Sequence, residues 1–295
     1  MEPQQFDKVQ RGRGFLAALD QSGGSTPKAL AQYGIDESQY STEAEMFDRV
    51  HEMRSRIFTS PAFRGDRLLG AILFEQTMDR QVDGRETGAY LWGVKGIVPF
   101  IKIDKGLADE SDGVQVMKPL PALDELLDRS ASKGMFGTKA RSFIKLANKD
   151  GIRAVVDQQF QLARRVLAKG LVPVLEPEID IHSPDKPMAE ALLLEALLDG
   201  LETVEPPHRV MLKVSLPSVD NAYAELVDHP RVLRLVALSG GYSRAEACAI
   251  LARNRGVIAS FARALTEGLA AQQTDDSFNR TLDASIEAIY RASLT

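Results

Sequence analysis

The stretch HRVMLKVSLP, residues 208–217, has the apolar pattern of a buried strand with a lysine near its centre. By the two-residue period of a strand, Val210, Leu212 and Val214 share one face, whereas Lys213 lies on the other. A charged amine inside such a strand costs free energy unless it is paired or deprotonated. Lys213 is therefore either an ion-paired or water-reaching lysine, or a neutral amine able to attack a carbonyl.

Seven further apolar runs alternate with helical patterns along the chain, which predicts parallel βαβ units. A polar residue follows nearly every run, and from Lys102 to Lys213 these residues recur every 37 positions. Reactive groups at the ends of many strands favour a (β/α)8 barrel over a doubly wound open sheet, which binds its ligand at one switch point. The predicted strands are 14–19, 68–74, 97–103, 135–139, 171–177, 209–216, 232–239 and 256–261, and the polar strand ends are Asp20, Glu75, Lys102, Lys139, Glu176, Lys213, Ser239 and Arg263.

The chain is predicted to form a single barrel domain over residues 1–295, because no long linker or change of composition divides it. The segment before Gly14 and a helix at 278–292 are expected to be additions to the barrel. Helices are also predicted at 121–130, 152–167, 188–202 and 262–271.

Composition and charge argue against several classes of partner. The formal charge is −5, so neither nucleic acid nor an anionic membrane is expected to bind. One cysteine, no signal-peptide pattern and no apolar run long enough for a membrane span predict a cytoplasmic protein. The four histidines lack the spacing of metal ligands, so no metal is expected. The sequence is compatible with a homo-oligomer but does not specify its state.

Carboxylates and hydroxyls accompany the strand lysines. Glu176 and Glu178 share a face of the extended segment VLEPEID (174–180), and a carboxylate beside a reacting amine can shuttle protons or simply form salt bridges. Asp20 ends the first predicted strand within ALDQSGGST (18–26). The hydroxyls of Ser22 and Ser25 follow it, where Ser25 is expected either to cap a helix that starts near residue 26 or to contact an anion.

Other segments suggest that the substrate is anionic. Gly240 and Gly241 in LSGGYS (238–243) allow backbone N–H groups to approach an anion, and Arg263 in SFARAL (260–265) can hold it in a bidentate manner. These segments follow the seventh and eighth predicted strands, where barrels often bind phosphate. Lys102, Lys139 and Arg141 add positive charge at the barrel mouth of an acidic protein, although solvated lysines would give the same pattern. The pyridoxal-phosphate barrel enzymes, which also use a strand lysine and a phosphate site, are one class compatible with these features.

Taken in order, GFLAALDQSGGSTPKAL, GAILFEQTMDR, GIVPFIKIDKGL, GTKARS, GLVPVLEPEI, MLKVSLPS, LSGGYSR and ASFARAL resemble the class I fructose-1,6-bisphosphate aldolases of the short bacterial type over almost the whole chain. The resemblance implies a Schiff-base (β/α)8 barrel that needs no metal or other cofactor. Position by position, it matches Lys213 to the Schiff-base lysine, Glu176 to the acid/base glutamate, Lys139 to the second lysine and Asp20 to the aspartate of the first strand. It implies substrate and phosphate binding by Ser22, Ser25, Lys102, Arg141, Ser239, Gly240, Gly241, Ser260 and Arg263.

The activity implied by the resemblance is reversible, metal-independent cleavage of fructose 1,6-bisphosphate in glycolysis and gluconeogenesis. Two departures from the longer animal-type enzymes stand out: Gln21 replaces a glutamate, and a mobile C-terminal tail ending in tyrosine has no counterpart. Proton exchange at the enamine carbon is therefore expected to depend on a group inside the barrel, with Glu176 the first candidate. The alternatives are another Schiff-base barrel aldolase or a transaldolase that acts on a different phosphosugar, and a barrel with a mainly binding role.

Overall fold

The computed structural model describes residues 2–295, whose sheet core is a closed barrel of eight parallel strands. Short strands β3 and β4 form a separate antiparallel pair, and β6 pairs antiparallel with β7. The other eight strands are consecutive neighbours around the barrel. In chain order the strands are β1 (Phe15–Leu19), β2 (Leu68–Leu73), β3 (Gln81–Val82), β4 (Arg85–Glu86), β5 (Val98–Lys102), β6 (Val114–Gln115), β7 (Gly137–Ile144), β8 (Val172–Ile179), β9 (Val210–Ser215), β10 (Val232–Leu238) and β11 (Ile258–Phe261).

The pairing of the first and last barrel strands closes the barrel. β1 pairs with β11, placing Leu16 beside Ser260. The consecutive barrel strands β5 and β7 also pair, placing Lys102 beside Lys139. This closure confirms the predicted barrel and rules out the open sheet. Each predicted run overlaps one barrel strand, but β7 continues to Ile144 and β8 to Ile179, because the last residues of these strands pair with each other and those of β7 also pair with β6.

The helices cover the outside of the barrel and one of its ends. Predictions at 121–130, 152–167, 188–202 and 278–292 correspond to α6, α7, α8 and α12. The one at 262–271 is reduced to the single turn α11, because the chain leaves the helical conformation at Glu267, with ψ 122°. The helices are α1 (Pro3–Arg11), α2 (Ser25–Gln32), α3 (Glu43–Thr59), α4 (Glu75–Met78), α5 (Thr87–Gly93), α6 (Leu123–Ser132), α7 (Lys149–Ala168), α8 (Lys186–Leu201), α9 (Ala224–Val227), α10 (Arg244–Leu251), α11 (Arg263–Thr266) and α12 (Asp275–Ala292).

The apolar core has two parts, and their separation positions the polar strand ends. The larger part lies between the strands and the surrounding helices and includes Leu212 and Val214 of β9. The smaller part fills the barrel interior and includes Met211, with Val9 of α1 closing the amino-terminal end. The alternation predicted for β9 is therefore confirmed, and it directs Lys213 into the barrel above Met211.

Within residues 2–295, no helix has both the length and the apolar character needed to cross a membrane.

Candidate active site

A cleft of about 840 Å³ opens at the carboxyl-terminal ends of the barrel strands. Because β strands of a parallel barrel all end on the same rim, residues far apart in sequence converge there. Gly241 does not line the cleft but lies beside it, close to the guanidinium of Arg263. The other twelve predicted site residues line it: Asp20, Ser22, Ser25, Lys102, Lys139, Arg141, Glu176, Lys213, Ser239, Gly240, Ser260 and Arg263.

Four buried charged side chains form the centre of this cleft. Nζ of Lys139 lies 2.6 Å from Oδ2 of Asp20 and 2.9 Å from Oε2 of Glu176. Nζ of Lys213 lies 2.8 Å from Oε1 of Glu176. The side chains are at most 10% exposed, so each charge depends on its neighbours for stabilisation.

The charges of this cluster fix the protonation of three members. Burial alone would raise the pKa of the Asp20 carboxyl, but Lys139 and Lys213 hold it well below its usual range. The pKa of Glu176 is lowered by the same two lysines against the effect of burial. Burial likewise opposes the charge on Lys139, yet Asp20 and Glu176 raise its pKa above the ordinary lysine value. At neutral pH the cluster therefore contains two carboxylates and a protonated Lys139.

One oxygen of Glu176 is left able to accept a proton. Nζ of Lys139 approaches Oε2 to 2.9 Å, but outside hydrogen-bonding geometry, and within residues 2–295 this buried oxygen has no other hydrogen-bond partner. Glu176 can thus contact Lys213 through Oε1 while its Oε2 remains able to accept a proton from another group in the cleft.

A second charged group lies beside the first and includes a buried residue that the sequence analysis missed. Asp104 is 3% exposed, and its Oδ1 lies 3.0 Å from Nζ of Lys102. Its Oδ2 accepts the backbone N–H of Arg141 at 3.2 Å. Lys102 also donates to Oγ of Ser22 at 2.8 Å, and Nε of Arg141 donates to Glu178. The signal in the sequence was IKIDK, in which Lys102 and Asp104 alternate onto the same side.

The third group surrounds the ends of β10 and β11. Ser239 and Ser260 are 6% and 1% exposed, and the buried Oγ of Ser260 has no hydrogen-bond partner among the described residues. Gly240 and Gly241 have φ values of 61° and 130°, a backbone conformation that favours glycine. Arg263 is exposed at the start of α11. A buried unpartnered hydroxyl, exposed peptide groups and a guanidinium are suited to binding an oxyanion.

Two local expectations are corrected by the structure. Ser25 does not cap α2, because the helix begins at Ser25 itself; its Oγ accepts the N–H of Ser22 at 3.0 Å and donates to the Ser22 carbonyl at 2.8 Å. Glu75 ends a strand but does not line the cleft, since it turns into α4 and pairs with Lys105 and Arg129.

Comparison with known proteins shows the family of this chain. Residues 5–212 match the family model for fructose-bisphosphate aldolase class-I. A protein from Synechocystis sp. named fructose-bisphosphate aldolase class 1 is 60% identical over 297 residues, which cover 100% of this chain and 99% of that protein. A protein of the same name from Porphyromonas gingivalis is 54% identical over 294 residues and covers 100% of both chains.

The comparison with solved structures concerns the fold alone. The fructose-bisphosphate aldolase from Plasmodium falciparum, crystallised with TRAP and a small molecule inhibitor, superposes with a TM-score of 0.78 at 19% identity, over 98% of this chain and 93% of that chain. The fold and the cleft define a parallel barrel with a buried centre of lysines and carboxylates at its mouth. From the sequence matches, the chain belongs to the class I fructose-bisphosphate aldolase family, as the resemblance implied.

Proposed function

We propose that this chain cleaves fructose 1,6-bisphosphate reversibly to dihydroxyacetone phosphate and glyceraldehyde 3-phosphate, as a glycolytic and gluconeogenic enzyme, through a Schiff base on Lys213. The observation that carries the proposal is the contact of one carboxylate, Glu176, with the amines of both Lys213 and Lys139 inside a single cleft. An amine that attacks a carbonyl and then expels water needs a proton shuttle at hydrogen-bonding distance, and Oε1 of Glu176 is 2.8 Å away.

The reaction begins with attack by neutral Lys213 on the C2 carbonyl. Lys139 and Lys213 both contact Glu176, so the carboxylate keeps one lysine cation in contact while Lys213 is neutral. Glu176 moves protons as the carbinolamine loses water and becomes an iminium. The C3–C4 bond then breaks, its electron pair flows to the iminium nitrogen, and the C4 hydroxyl loses its proton as glyceraldehyde 3-phosphate leaves.

The remaining enamine takes a proton at C3, and water then hydrolyses the dihydroxyacetone phosphate iminium to regenerate Lys213. Asp20 binds the C4 hydroxyl, and either Asp20 or Glu176 accepts its proton. Glu176, which receives that proton directly or from Asp20, is the proposed proton donor to C3, since its Oε2 is buried in the cleft and contacts Nζ of Lys139 outside hydrogen-bonding geometry.

Two anion-binding groups at the cleft support a bisphosphate substrate. We assign the C1 phosphate to the group at the ends of β10 and β11, where the buried Oγ of Ser260 lacks a partner. This group consists of Ser239, Gly240, Gly241, Ser260 and Arg263. The second phosphate is assigned to Ser22, Ser25, Lys102 and Arg141, which line the same cleft. We further propose that residues 1–295 act as one barrel domain in the cytoplasm, with the iminium as the electron sink and no added cofactor.

The test is chemical trapping of the intermediate. The protein is incubated with dihydroxyacetone phosphate and sodium borohydride, and digested peptides are examined by mass spectrometry. The adduct is expected on the peptide that contains Lys213, and Lys213→Ala is expected to abolish it with the circular dichroism spectrum unchanged. Lys186, which is buried in a pair with Glu190 but does not line the cleft, serves as the internal control and is expected to stay unlabelled. An adduct on Lys139 or Lys102 would contradict the assignment.

A further inference from the structure

A buried arginine lies behind the cleft, outside the set of residues predicted to bind substrate. Arg54, in α3, is 1% exposed. Its Nη1 donates to Oγ1 of Thr77 in α4 at 2.7 Å, and its Nη2 donates to the backbone carbonyl of Gln21 at 2.7 Å. Thr77 follows β2 and Gln21 follows Asp20 at the end of β1. Arg54 therefore fixes the chain at the ends of two adjacent barrel strands.

Among residues 2–295, no carboxylate forms a hydrogen bond or an ion pair with Arg54. Its hydrogen-bond partners among the described residues, Thr77 and Gln21, are neutral, and its Nε has none. Burial lowers the pKa of Arg54 to about 10, while the charge of Asp20 acts in the opposite direction. At neutral pH the guanidinium is therefore a buried cation that is stabilised by the charge of Asp20.

The charge balance of the cleft changes during the reaction. When Lys213 is protonated, its charge and that of Lys139 match the charges of Asp20 and Glu176. Once Lys213 is neutral, the two carboxylates face one lysine cation, and the cluster has an excess negative charge. Arg54 supplies a buried positive charge that interacts with the charge of Asp20 in this reactive state.

We propose that Arg54 is a positioning residue that acts on the aldol reaction through Asp20: it holds the peptide that follows Asp20 and supplies the buried positive charge that favours neutral Lys213. The inference rests on the proposed function, because it requires Lys213 to be the nucleophile. It adds to that function a residue in a helix outside the barrel that adjusts the pH at which the amine becomes reactive.

The other titratable groups near Arg54 bear on how its effect is measured. Asp20 faces it from the end of β1, and His51 lies three residues earlier on α3, while the contact from α4 is the neutral Thr77. Burial lowers the pKa of His51, and the charges of Arg80 and Arg54 add to that effect. A change at Arg54 therefore alters His51 as well, so the measurement is repeated with His51→Gln in both the wild-type and variant backgrounds.

The experiment compares the pH dependence of kcat/KM for wild type, Arg54→Gln and Arg54→Lys. The uncharged glutamine is expected to move the acidic limb of the profile upward by about 0.5–1 pH unit, because a cation that opposed the ammonium form of Lys213 is gone. Lysine retains the charge and is expected to leave the limb within about 0.2 pH unit of wild type, with a lower kcat. The shift is expected to persist in the His51→Gln background.

Arg234 provides the matched control. It is also an arginine that donates to backbone carbonyls, those of Gln10 and Gly12, and whose Nε lacks a partner within residues 2–295. It lies toward the opposite end of the barrel, against the loop that follows α1, so Arg234→Gln is expected to lower the unfolding midpoint without moving the limb. If Arg54→Gln does not fold, Gln21→Glu brings a carboxylate to Arg54 and is expected to move the limb in the same direction.

An acidic limb that stays in place in Arg54→Gln, or that moves equally in Arg234→Gln, overturns the inference. Borohydride trapping of each variant separates this result from failure of the proposed function. An adduct on Lys213 with an unmoved limb refutes the role of Arg54 alone, whereas an adduct on a different lysine refutes both.

Discussion

Replacing Lys139 by methionine isolates the electrostatic role of the buried cluster. Methionine is unbranched and of similar length, so it fills most of the space of the lysine stem without the charge. Asp20 then loses the ammonium group 2.6 Å from its Oδ2, whereas Glu176 keeps Lys213 at 2.8 Å. The variant therefore leaves one buried carboxylate, Asp20, without an ion-pair partner in contact.

The expected cost follows from that unpaired charge. Breaking a buried pair by removing one partner typically destabilises a protein by ~3–5 kcal/mol. In wild type, Lys139 and Lys213 lower the pKa of Asp20 against the effect of burial. The contribution of Asp20 to the free energy of unfolding is therefore complete above the ordinary pKa of an aspartate. It is lost as the pH falls through the lowered pKa of the folded state. Above pH 5 this contribution does not vary with pH.

In Lys139→Met, the contribution of Asp20 to stability depends on pH in the opposite direction. Without Lys139, burial becomes the dominant influence and the pKa of Asp20 rises. Stability from a raised carboxyl pKa is present below the ordinary value and falls as the pH rises toward the new one, by at most ~1.4 kcal/mol per pH unit. The loss of stability in Lys139→Met is therefore expected to be larger at pH 8 than at pH 5.

Urea unfolding followed by circular dichroism at pH 5, 6, 7 and 8 measures this difference. The double variant Asp20→Asn with Lys139→Met removes both partners and is expected to be more stable at pH 8 than Lys139→Met alone, with little pH dependence of the difference from wild type. A loss in Lys139→Met that is the same at every pH, and that Asp20→Asn does not reduce, would refute the assignment of Asp20 as the carboxylate held by Lys139.

Three further outcomes are expected. Arg263→Ala should weaken dihydroxyacetone phosphate binding by ~1.5–3 kcal/mol, roughly 10- to 150-fold in Kd, because a charge-assisted contact to phosphate is lost; an unchanged titration would remove Arg263 from the site. Asp104→Asn should raise KM for fructose 1,6-bisphosphate about tenfold, because Lys102 loses the carboxylate that positions it, while dihydroxyacetone phosphate binding stays nearly unchanged. Equal losses for both ligands would disprove the assignment of the two phosphates to separate groups. Cleavage should persist after dialysis against EDTA, since the iminium accepts the electrons, and zinc-dependent recovery of lost activity would contradict this mechanism.

The sequence predicts the barrel well because periodicity and strand-end chemistry are local signals. The alternation around Lys213 gave the correct inward face, and the equal spacing from Lys102 to Lys213 reflects one lysine or glutamate on each of four adjacent barrel strands. The early end predicted for β7 was wrong because its last residues are stabilised by β6 and β8, which are distant partners that no local pattern reveals.

Arg54 and Asp104 show what could not be predicted. Arg54 is one of several charged residues in α3, and only the fold places the carbonyl of Gln21, 33 positions away, against its guanidinium. Asp104 follows a strand, but one of its partners is the backbone N–H of Arg141 in the next barrel strand, 37 positions away. Contacts between separate strands leave no trace in residue spacing along one segment.

The two lysines of the central cluster differ in how many carboxylates they contact, and this difference suits them to different tasks. Lys139 lies within 3 Å of both Asp20 and Glu176, so its deprotonation would leave two buried carboxylates with one fewer cation. Among residues 2–295, Lys213 has one ion-pair partner, Glu176, which also lies 2.9 Å from Nζ of Lys139. In the proposed mechanism, this shared glutamate therefore keeps a cation in contact while Lys213 acts as the nucleophile, and Lys139 stays paired with both carboxylates.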